Sequence, residues 1–297
     1  MFEKKTIQGA YFALAAYSVW GFAPVYFKLI DHVNLLEIIC HRIIWSSVLL
    51  LAILAIKKDL GTLRITRNQL FVLVGTALLL FGNWLVFIYG ILNNNIVETS
   101  LGYFINPLVS VFLGMIFLKE SPRPLQWVAI SIAGAGIAFQ LIFFGAIPWI
   151  ALTLAFSFGF YGLLRKNLNF PSITGLTIEN LTLLPLAIVM IIWLHYNTGL
   201  SFGSVNTQTN VLLMLGGVVT SFPLLCFAAA VTRLSLTAAG MFQYLAPSLS
   251  LIIAVVVYDE PFELDRIITF ICIWTALVIF TVEAFHHHGR ISRQLSA

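Results

Sequence analysis

Charged side chains are scarce in this sequence, because Asp, Glu, Lys and Arg together make up only 9% of its 297 residues. Soluble globular domains carry about 25% charged residues. The hydrophobic share is 60%, which is more apolar surface than one soluble core of this size could bury. Cysteine is scarce too, and the three cysteines lie in apolar runs without a CxxC pair, as small packing residues do. The composition therefore excludes a soluble domain and indicates a membrane protein.

Several chemical motifs are also missing. The sequence has no GxxxxGK[ST] phosphate loop, no GxSxG elbow and no HExxH metal motif. His286 to His288 follow the last apolar run, where a solvated helix end is a better interpretation than a metal site. The basic residues are scattered between apolar runs rather than gathered in a patch, which argues against a nucleic-acid partner. We therefore expect no enzymatic activity, no cofactor and no metal.

Apolar runs long enough to cross a bilayer dominate the chain, since about 20 helical residues span the hydrocarbon core. Ten such runs occur between polar breaks. They are, as predicted spans 1 to 10, Ile7–Ile30, Leu35–Ile56, Gln69–Leu92, Thr99–Leu118, Leu125–Phe143, Pro148–Leu164, Ile173–Leu194, Val211–Thr232, Ala238–Tyr258 and Ile267–Phe285. The sequence therefore predicts a multi-pass protein.

The distribution of lysine and arginine predicts its orientation. Thirteen of the 16 fall on one side of the membrane if both termini share that side. They are Lys4, Lys5, Lys57, Lys58, Arg64, Arg67, Lys119, Arg123, Arg165, Lys166, Arg233, Arg290 and Arg293. Cytoplasmic loops carry an excess of Lys and Arg. We therefore expect an inner-membrane protein whose N- and C-termini are both cytoplasmic.

Two stretches separated by 140 positions resemble each other. Glu98–Glu120 and Ala238–Glu260 each contain a proline, Pro107 or Pro247, followed by a serine and, at the end, a glutamate. The flanking segments LAAYSVWGF and LAFSFGFYG repeat at the same offset. Five spans per repeat is an odd number, so the second copy enters the membrane from the opposite side. The sequence therefore predicts an all-α protein of ten transmembrane helices in two inverted five-helix repeats, residues 1–145 and 146–297, an arrangement typical of transporters.

Ionisable residues within the spans are the first candidates for a site, because each costs at least about 2.5 to 3.5 kcal/mol at membrane depth. Glu37 and His41 share one face of span 2, and Glu37 is expected to reach the outer interface. Arg42 lies about 10 Å deeper, and either a substrate or a structural partner between helices could satisfy it. Glu179 in span 7 falls at a related position in the repeat. A structural ion pair between Glu179 and Arg42 is the alternative to a substrate or proton pathway through His41, Arg42 and Glu179.

Neutral polar and aromatic residues supply the remaining candidates. Amides within spans usually bond between helices, but Pro107 and Pro247 are predicted to break the helical ladder beside two of them and to leave carbonyls facing a cavity. The amide candidates are Asn83, Asn106 and Gln243, and the aromatic ones are Trp20, Tyr103, Tyr161 and Tyr244. Packing is the alternative interpretation for every aromatic residue in this set.

Four strings in the chain carry a resemblance to a known family: AAYSVWGFAPVYFKLI, GNWLVFIYG, ETSLGYFINPLVSVFLGMIFLKE and FPLLCFAAAVTRLSL. Together with the ten spans they resemble the EamA type of the drug/metabolite transporter superfamily, and within it the RarD-like proteins named for chloramphenicol sensitivity. The resemblance covers almost the whole chain. It implies an inner-membrane carrier with a central cavity between its halves, which moves small molecules without ATP.

The combined prediction is a secondary transporter, an exporter or exchanger of small polar or amphipathic metabolites or drugs. It would work by alternating access, with proton coupling left open. A channel or a lipid scramblase of the same ten-helix architecture is the alternative. The expected partners are a small-molecule substrate and membrane lipid.

Overall fold

A computed structural model describes residues 2–93, 95–144, 147–258 and 264–295. These residues form eleven α-helices and a short 3₁₀ turn at Leu60–Leu63, and they contain no strand. The helices are α1 Phe2–Lys28, α2 Leu35–Ile56, α3 Arg67–Leu92, α4 Ile96–Leu118, α5 Pro124–Phe144, α6 Trp149–Leu168, α7 Ser172–Asn197, α8 Thr207–Val231, α9 Leu236–Gln243, α10 Leu245–Tyr258 and α11 Leu264–Leu295.

The predicted spans match these helices closely. In the described part of the chain, nine segments are long and apolar enough to cross a membrane, with α9 and α10 together forming one of them. Helix α6 does not reach that hydropathy because its last turn carries Arg165 and Lys166. The prediction of an all-helical, multi-pass membrane protein is confirmed. Span 10 was predicted to end at Phe285, whereas α11 continues as one helix through His286 to Leu295.

The two repeated prolines behave differently. Helix α4 runs through Pro107 without interruption, so the predicted break does not occur there. In the second copy the helix changes at Tyr244, between α9 and α10, and Pro247 lies in the first turn of α10. A proline is tolerated in a first turn because its missing N–H would have no partner there anyway.

The main helix contacts join the first half of the chain, residues 1–145, to the second half, residues 146–297. Helix α1 packs on α8 and α10, α2 on α7 and α8, and α3 on α6 and α7. Helix α4 packs on α6 and α9, and α5 on α11. Neither half therefore buries its apolar surface mainly against itself.

Two of these pairs have a register that fixes their relative direction. At one end of α4, the Glu120 carboxylate meets the start of α9 at Leu236, whereas Ser110 further back accepts a hydrogen bond from Gln243 at the end of α9. Helices α4 and α9 therefore run antiparallel. Helices α5 and α11 do so too, because Arg123 before α5 binds Glu283 late in α11, while a Cβ on Gly136 would touch Cys272 early in α11.

Three carboxylates of the first half bind backbone amides of the second half. Glu37 accepts hydrogen bonds from the N–H groups of Ser201 and Phe202, at 3.0 and 2.9 Å. Glu98 accepts one from Ile150 at 2.7 Å, near the start of α6. Glu120 accepts from Leu236 and Thr237 at 2.6 and 2.9 Å, at the start of α9. Glu98 and Glu120 stabilise the starts of α6 and α9, because the first N–H groups of a helix have no partner within it, whereas Glu37 binds amides of the loop between α7 and α8.

Glu37 lies at the α7–α8 loop at one end of the bundle. It is 1% exposed, because this loop folds over it and supplies two amide donors. Glu260, the repeat counterpart of Glu120, lies outside the described residues.

Candidate functional site

Arg42 is the centre of a partly exposed group of polar and aromatic side chains. Its Nε donates a hydrogen bond to the Thr220 hydroxyl of α8 at 2.7 Å. Its guanidinium lies 4.8 Å from the ring centre of Trp84 in α3 and 5.7 Å from that of Phe27 in α1. Arginine faces are attracted to aromatic rings, and most strongly to tryptophan. Arg42 itself is only partly buried.

Two tyrosines complete this group. Tyr103 of α4 is 49% exposed, packs its ring 6.3 Å from that of Phe87 and is close enough to Arg42 to interact electrostatically. Tyr26 of α1 donates its hydroxyl to the Leu212 carbonyl of α8 at 3.0 Å. We call the set the accessible layer. It consists of Tyr26, Phe27, Arg42, Trp84 and Tyr103, which are all at least partly exposed, and of Thr220, which is 1% exposed.

A second polar group, centred on Glu179, is buried within the bundle. Glu179 of α7 accepts a hydrogen bond from Thr76 of α3 at 2.6 Å and one from Tyr161 of α6 at 3.4 Å. Its Oε1 lies 3.5 Å from Nη1 of Arg165, and both charged side chains are 1% exposed. The Arg165 guanidinium also rests on Gly175, where an added Cβ would come within 2.0 Å of Nη1. This network joins three helices from both halves.

Aromatic rings close the space beside that network. Tyr161 stacks on Phe227 with ring centres 5.8 Å apart, and Trp20 lies against Tyr17, Phe158 and Phe227 at 5.5 to 6.0 Å. The exposures of Tyr17, Tyr161 and Phe227 are all 2% or less. We call this set the closed layer. It consists of Tyr17, Trp20, Thr76, Phe158, Tyr161, Arg165, Glu179 and Phe227.

The two layers are separated along the helices that carry both. Trp84 and Thr76 are eight residues apart on α3, and Thr220 and Phe227 are seven residues apart on α8. At 1.5 Å of rise per residue, the separation is about 10 to 12 Å. The bundle therefore has a partly exposed level around Arg42 and, about two helical turns away, a mostly buried level around Glu179.

The alternative ion pair between Glu179 and Arg42 does not form. Each residue lies seven positions after the start of its helix, but Arg42 in α2 belongs to the accessible layer and Glu179 in α7 to the closed layer. The charged partner of Glu179 is Arg165. The sequence prediction counted Arg165 among the cytoplasmic cations because span 6 was ended at Leu164, whereas α6 continues to Leu168 and turns Arg165 inward.

His41 lies apart from both layers. Its Nδ1 accepts a hydrogen bond from Trp45 at 3.2 Å, its ring packs 4.7 Å from that of Phe202, and its Nε2 is 3.8 Å from Glu37. Phe202 belongs to the loop between α7 and α8 that Glu37 also binds. The structure therefore places His41 under this loop rather than beside Arg42 or Glu179.

The candidate amides and Tyr244 lie mostly at helix contacts. Asn83 donates to the Leu154 carbonyl at 2.9 Å and to Ser157 at 2.8 Å, joining α3 to α6. Gln243 donates to Ser110 at 3.1 Å. The remaining candidates are nearly or fully buried. Asn106 is 8% exposed and Tyr244 is 0% exposed, and the described residues offer no hydrogen-bond partner to the Asn106 Oδ1 or the Tyr244 hydroxyl.

Nine residues of the two layers were missed in the sequence, namely Tyr17, Tyr26, Phe27, Thr76, Trp84, Phe158, Arg165, Thr220 and Phe227. Threonine and aromatic residues occur throughout the spans, so no pattern distinguishes these from packing residues. Arg165 did offer a signal, because it directly follows the predicted end of span 6 at Leu164, and one further helical turn brings its cation into the bundle. Within the described residues, no group of three His, Cys, Asp or Glu side chains could hold a metal ion.

Comparison with known proteins gives the family. A profile described as the EamA-like transporter family matches the chain twice, over residues 7–142 and 146–282. The chain belongs to this family. It is 48% identical to an uncharacterized transporter of Vibrio cholerae over 96% of both chains. It is 45% identical to protein RarD of Escherichia coli over 99% of this chain and 100% of that one. The resemblance to RarD-like EamA transporters is confirmed, and the protein is a multi-pass transporter of the inner membrane.

Two further matches extend the comparison. A chloramphenicol-sensitive protein RarD of Pseudomonas aeruginosa is 29% identical over 92% of this chain and 93% of its own. One crystal structure matches with a TM-score of 0.72 over 95% of this chain and 98% of that one, at 16% identity. At that identity the structural match shows the fold alone.

Proposed function

We propose that this protein is a secondary transporter that moves small polar or amphipathic metabolites or drugs by alternating access, as an exporter or exchanger. The accessible layer would bind the substrate and the closed layer would act as the gate on the other side. The observation that carries the proposal is the contrast between the layers. Tyr103 beside Arg42 is 49% exposed, whereas Tyr161 beside Glu179 is 0% exposed.

The composition of the gate supports this mechanism. Thr76 belongs to the first half of the chain, and Tyr161, Arg165 and Glu179 belong to the second. If the halves rock against each other, the Thr76 bond to Glu179 is one that must break. The remaining contacts of Glu179 lie within the second half and would move with it. His41, which lies under the outer loop, is assigned no substrate contact.

The contact pattern supports two inverted repeats divided near residue 145. Under the repeat, span 1 corresponds to span 6, span 8 to span 3, and span 9, which is formed by α9 and α10, to span 4. The contacts of α1 with α8 and α10 therefore correspond to those of α6 with α3 and α4. The antiparallel pairs α4 with α9 and α5 with α11 are those that a two-fold axis in the membrane plane would produce. Two consecutive matches to the family profile, over 7–142 and 146–282, support the same division.

The positive-inside count supports cytoplasmic termini even after Arg165 is removed from it. The remaining cations still fall mainly on one side, and the 3₁₀ turn at Leu60–Leu63 lies between Lys58 and Arg64 on that side. In this orientation the accessible layer opens outward and the closed layer faces the cytoplasm.

A reversible cross-link between the halves tests alternating access. The hydroxyl oxygens of Thr62, beside the 3₁₀ turn, and Thr174, at the start of α7, lie 3.0 Å apart on the closed side. We would convert both to cysteine in a background where Cys40, Cys226 and Cys272 are alanine. In proteoliposomes loaded with a metabolite panel, oxidation should stop counterflow and a reductant should restore it, because the closed side can no longer open.

The Thr62→Cys single variant, treated with the same oxidant, is the matched control and should keep its flux. Counterflow that continues in the cross-linked double variant would rule out alternating access. Flux that is not saturable would favour a channel, and flipping of labelled lipid by the purified protein would favour a scramblase. Repeating the assay with an imposed pH gradient tests proton coupling, because flux that ignores the gradient excludes it.

A further inference from the structure

Arg42 has only part of its hydrogen-bonding capacity used. A guanidinium carries five N–H donors. The one acceptor found for them among the described residues is the Thr220 hydroxyl, which takes the bond from Nε. The rings of Trp84 and Phe27 lie at 4.8 and 5.7 Å. A ring beneath a guanidinium contacts its flat face and leaves the N–H edge free. Nη1 and Nη2 therefore have donors directed at no protein acceptor in the described part of the chain.

Seven acidic residues have side chains that the structure describes, and each of them is engaged elsewhere or lies at the surface. Glu37, Glu98 and Glu120 bind backbone amides, Glu179 binds Arg165, and Glu283 binds Arg123. Asp31 and Asp59 are exposed outside the membrane helices. No described carboxylate comes within 4 Å of Arg42. The positive charge at this depth is therefore not neutralised by a described side chain.

The position of this charge also matters. Arginine stays protonated at any physiological pH, and a cation in the membrane without a counter-ion is costly. The aliphatic stem of Arg42 packs closely against the backbone at Gly216, where the absence of a side chain leaves room for it. A Cβ on Gly216 would come within 3.3 Å of the Arg42 Cγ and within 2.8 Å of the Tyr26 hydroxyl. The structure thus fixes the guanidinium among aromatic rings and keeps its outer edge accessible.

We infer that the substrate carries an oxyanion, a carboxylate or phosphate group, that accepts hydrogen bonds from Nη1 and Nη2 of Arg42. Two parallel N–H donors match such a group in a bidentate pair. The flanking rings of Trp84 and Phe27 suit an apolar or aromatic body beside the anion. This inference rests on the proposed transport function, since it assigns the substrate class for the same accessible layer.

Binding of matched small probes to the purified full-length protein tests the inference. The probes are benzoate and phenyl phosphate, with benzamide as the neutral isostere and benzylamine as the cation. We expect both oxyanions, at millimolar concentration, to raise the thermal unfolding midpoint, and benzamide and benzylamine to leave it unchanged. Arg42→Gln should weaken the oxyanion effect about tenfold or more. Arg42→Lys should keep part of it, because it keeps the charge but loses the bidentate edge.

Arg233→Gln is the matched control. Arg233 is an exposed arginine just after the end of α8, outside the accessible layer. It donates a hydrogen bond to the Ala229 carbonyl and lies over the ring of Phe12. Its variant should respond to the oxyanions as the parent does. Equal stabilisation by benzamide, an unchanged oxyanion effect in Arg42→Gln, or no effect of either oxyanion would each overturn the inference. An unfolding midpoint of Arg42→Gln without probe that matches the parent's shows that this variant is folded.

The two proposals can fail separately. If oxyanions bind through Arg42 but the cross-linked Thr62 and Thr174 double variant still exchanges its cargo, alternating access is wrong and the anion site stands. If the cross-link stops exchange and the probes show no preference for oxyanions, transport stands and the assigned substrate class is wrong.

Discussion

Arg42 and Arg165 both lie inside membrane helices, and they differ in what surrounds their charge. Arg165 is 1% exposed, faces a carboxylate across 3.5 Å and is pressed against Gly175. Arg42 is partly exposed, has a hydroxyl and two aromatic rings as neighbours, and has no described carboxylate within 4 Å. Two residues of the same type in one bundle therefore support different roles, one in holding the fold and one in binding.

The difference follows from the cost of charge in a medium of low polarity. A buried pair must be complete, because removing either partner leaves the other charge without compensation. A cation in an accessible cavity can be hydrated between binding events, so it can remain without a protein partner. We therefore expect substitutions in the closed layer to act on stability, and substitutions in the accessible layer to act on binding.

The largest effect is expected for Glu179→Ala. It leaves the Arg165 guanidinium buried without its carboxylate, and breaking a buried pair in this way costs about 3 to 5 kcal/mol. The thermal unfolding midpoint and the monodisperse fraction in detergent should both fall. The double variant Arg165→Met with Glu179→Leu removes both charges and should recover most of the loss. An equal fall of the unfolding midpoint in Arg42→Met and in Glu179→Ala would contradict the expected difference between the two layers.

A smaller effect is expected for Gly175→Ala. The new Cβ would lie 2.0 Å from Arg165 Nη1, so the guanidinium must move away from Glu179. Overpacking of this kind costs about 1 to 3 kcal/mol. Gly134→Ala in α5 is the matched control, because the nearest atom to its Cβ is Leu108 Cδ1 at 3.8 Å. Equal unfolding midpoints for the two alanine variants would show that the Arg165 position is not sterically fixed.

The smallest effect on stability is expected for Thr220→Val, which removes the acceptor of the Arg42 Nε bond. A single hydrogen bond contributes about 0.5 to 1.5 kcal/mol net, and the partly exposed guanidinium can bind water instead. The unfolding midpoint should therefore barely change, while the benzoate concentration needed for half-maximal stabilisation should rise several-fold. Tyr161→Phe in the closed layer should show the reverse, a slight loss of stability with unchanged benzoate binding.

The span pattern was predictable because it depends only on the length of apolar runs and on where charges interrupt them. Span 2 was predicted at Leu35–Ile56, and α2 has those bounds. A break was predicted beside both repeated prolines, and the helix does change at Tyr244 near Pro247, but α4 runs through Pro107 without a break. Whether a proline bends or ends a helix depends on what packs beside it, which the local sequence does not contain.

Partner choice was the least predictable part of the site. Arg42 and Glu179 were both recognised as intramembrane charges, and pairing them was reasonable from their related positions in the repeat. Each lies seven residues from the start of its own helix, but the two helices place these positions in different layers. Arg165 was available as a partner of Glu179 only because α6 is one turn longer than its apolar run. Such a turn is the usual uncertainty of a predicted helix end.

The carboxylates that bind amides across the two halves have a consequence for how the chain is made. Glu37, Glu98 and Glu120 leave the ribosome before their donors, which follow in the order Ile150, Ser201 with Phe202, and Leu236 with Thr237. A nascent chain that stops after α5 holds three acids whose partners have not been synthesised. The later helices thus complete the earlier ones during insertion, and the final acid is satisfied only when α9 begins.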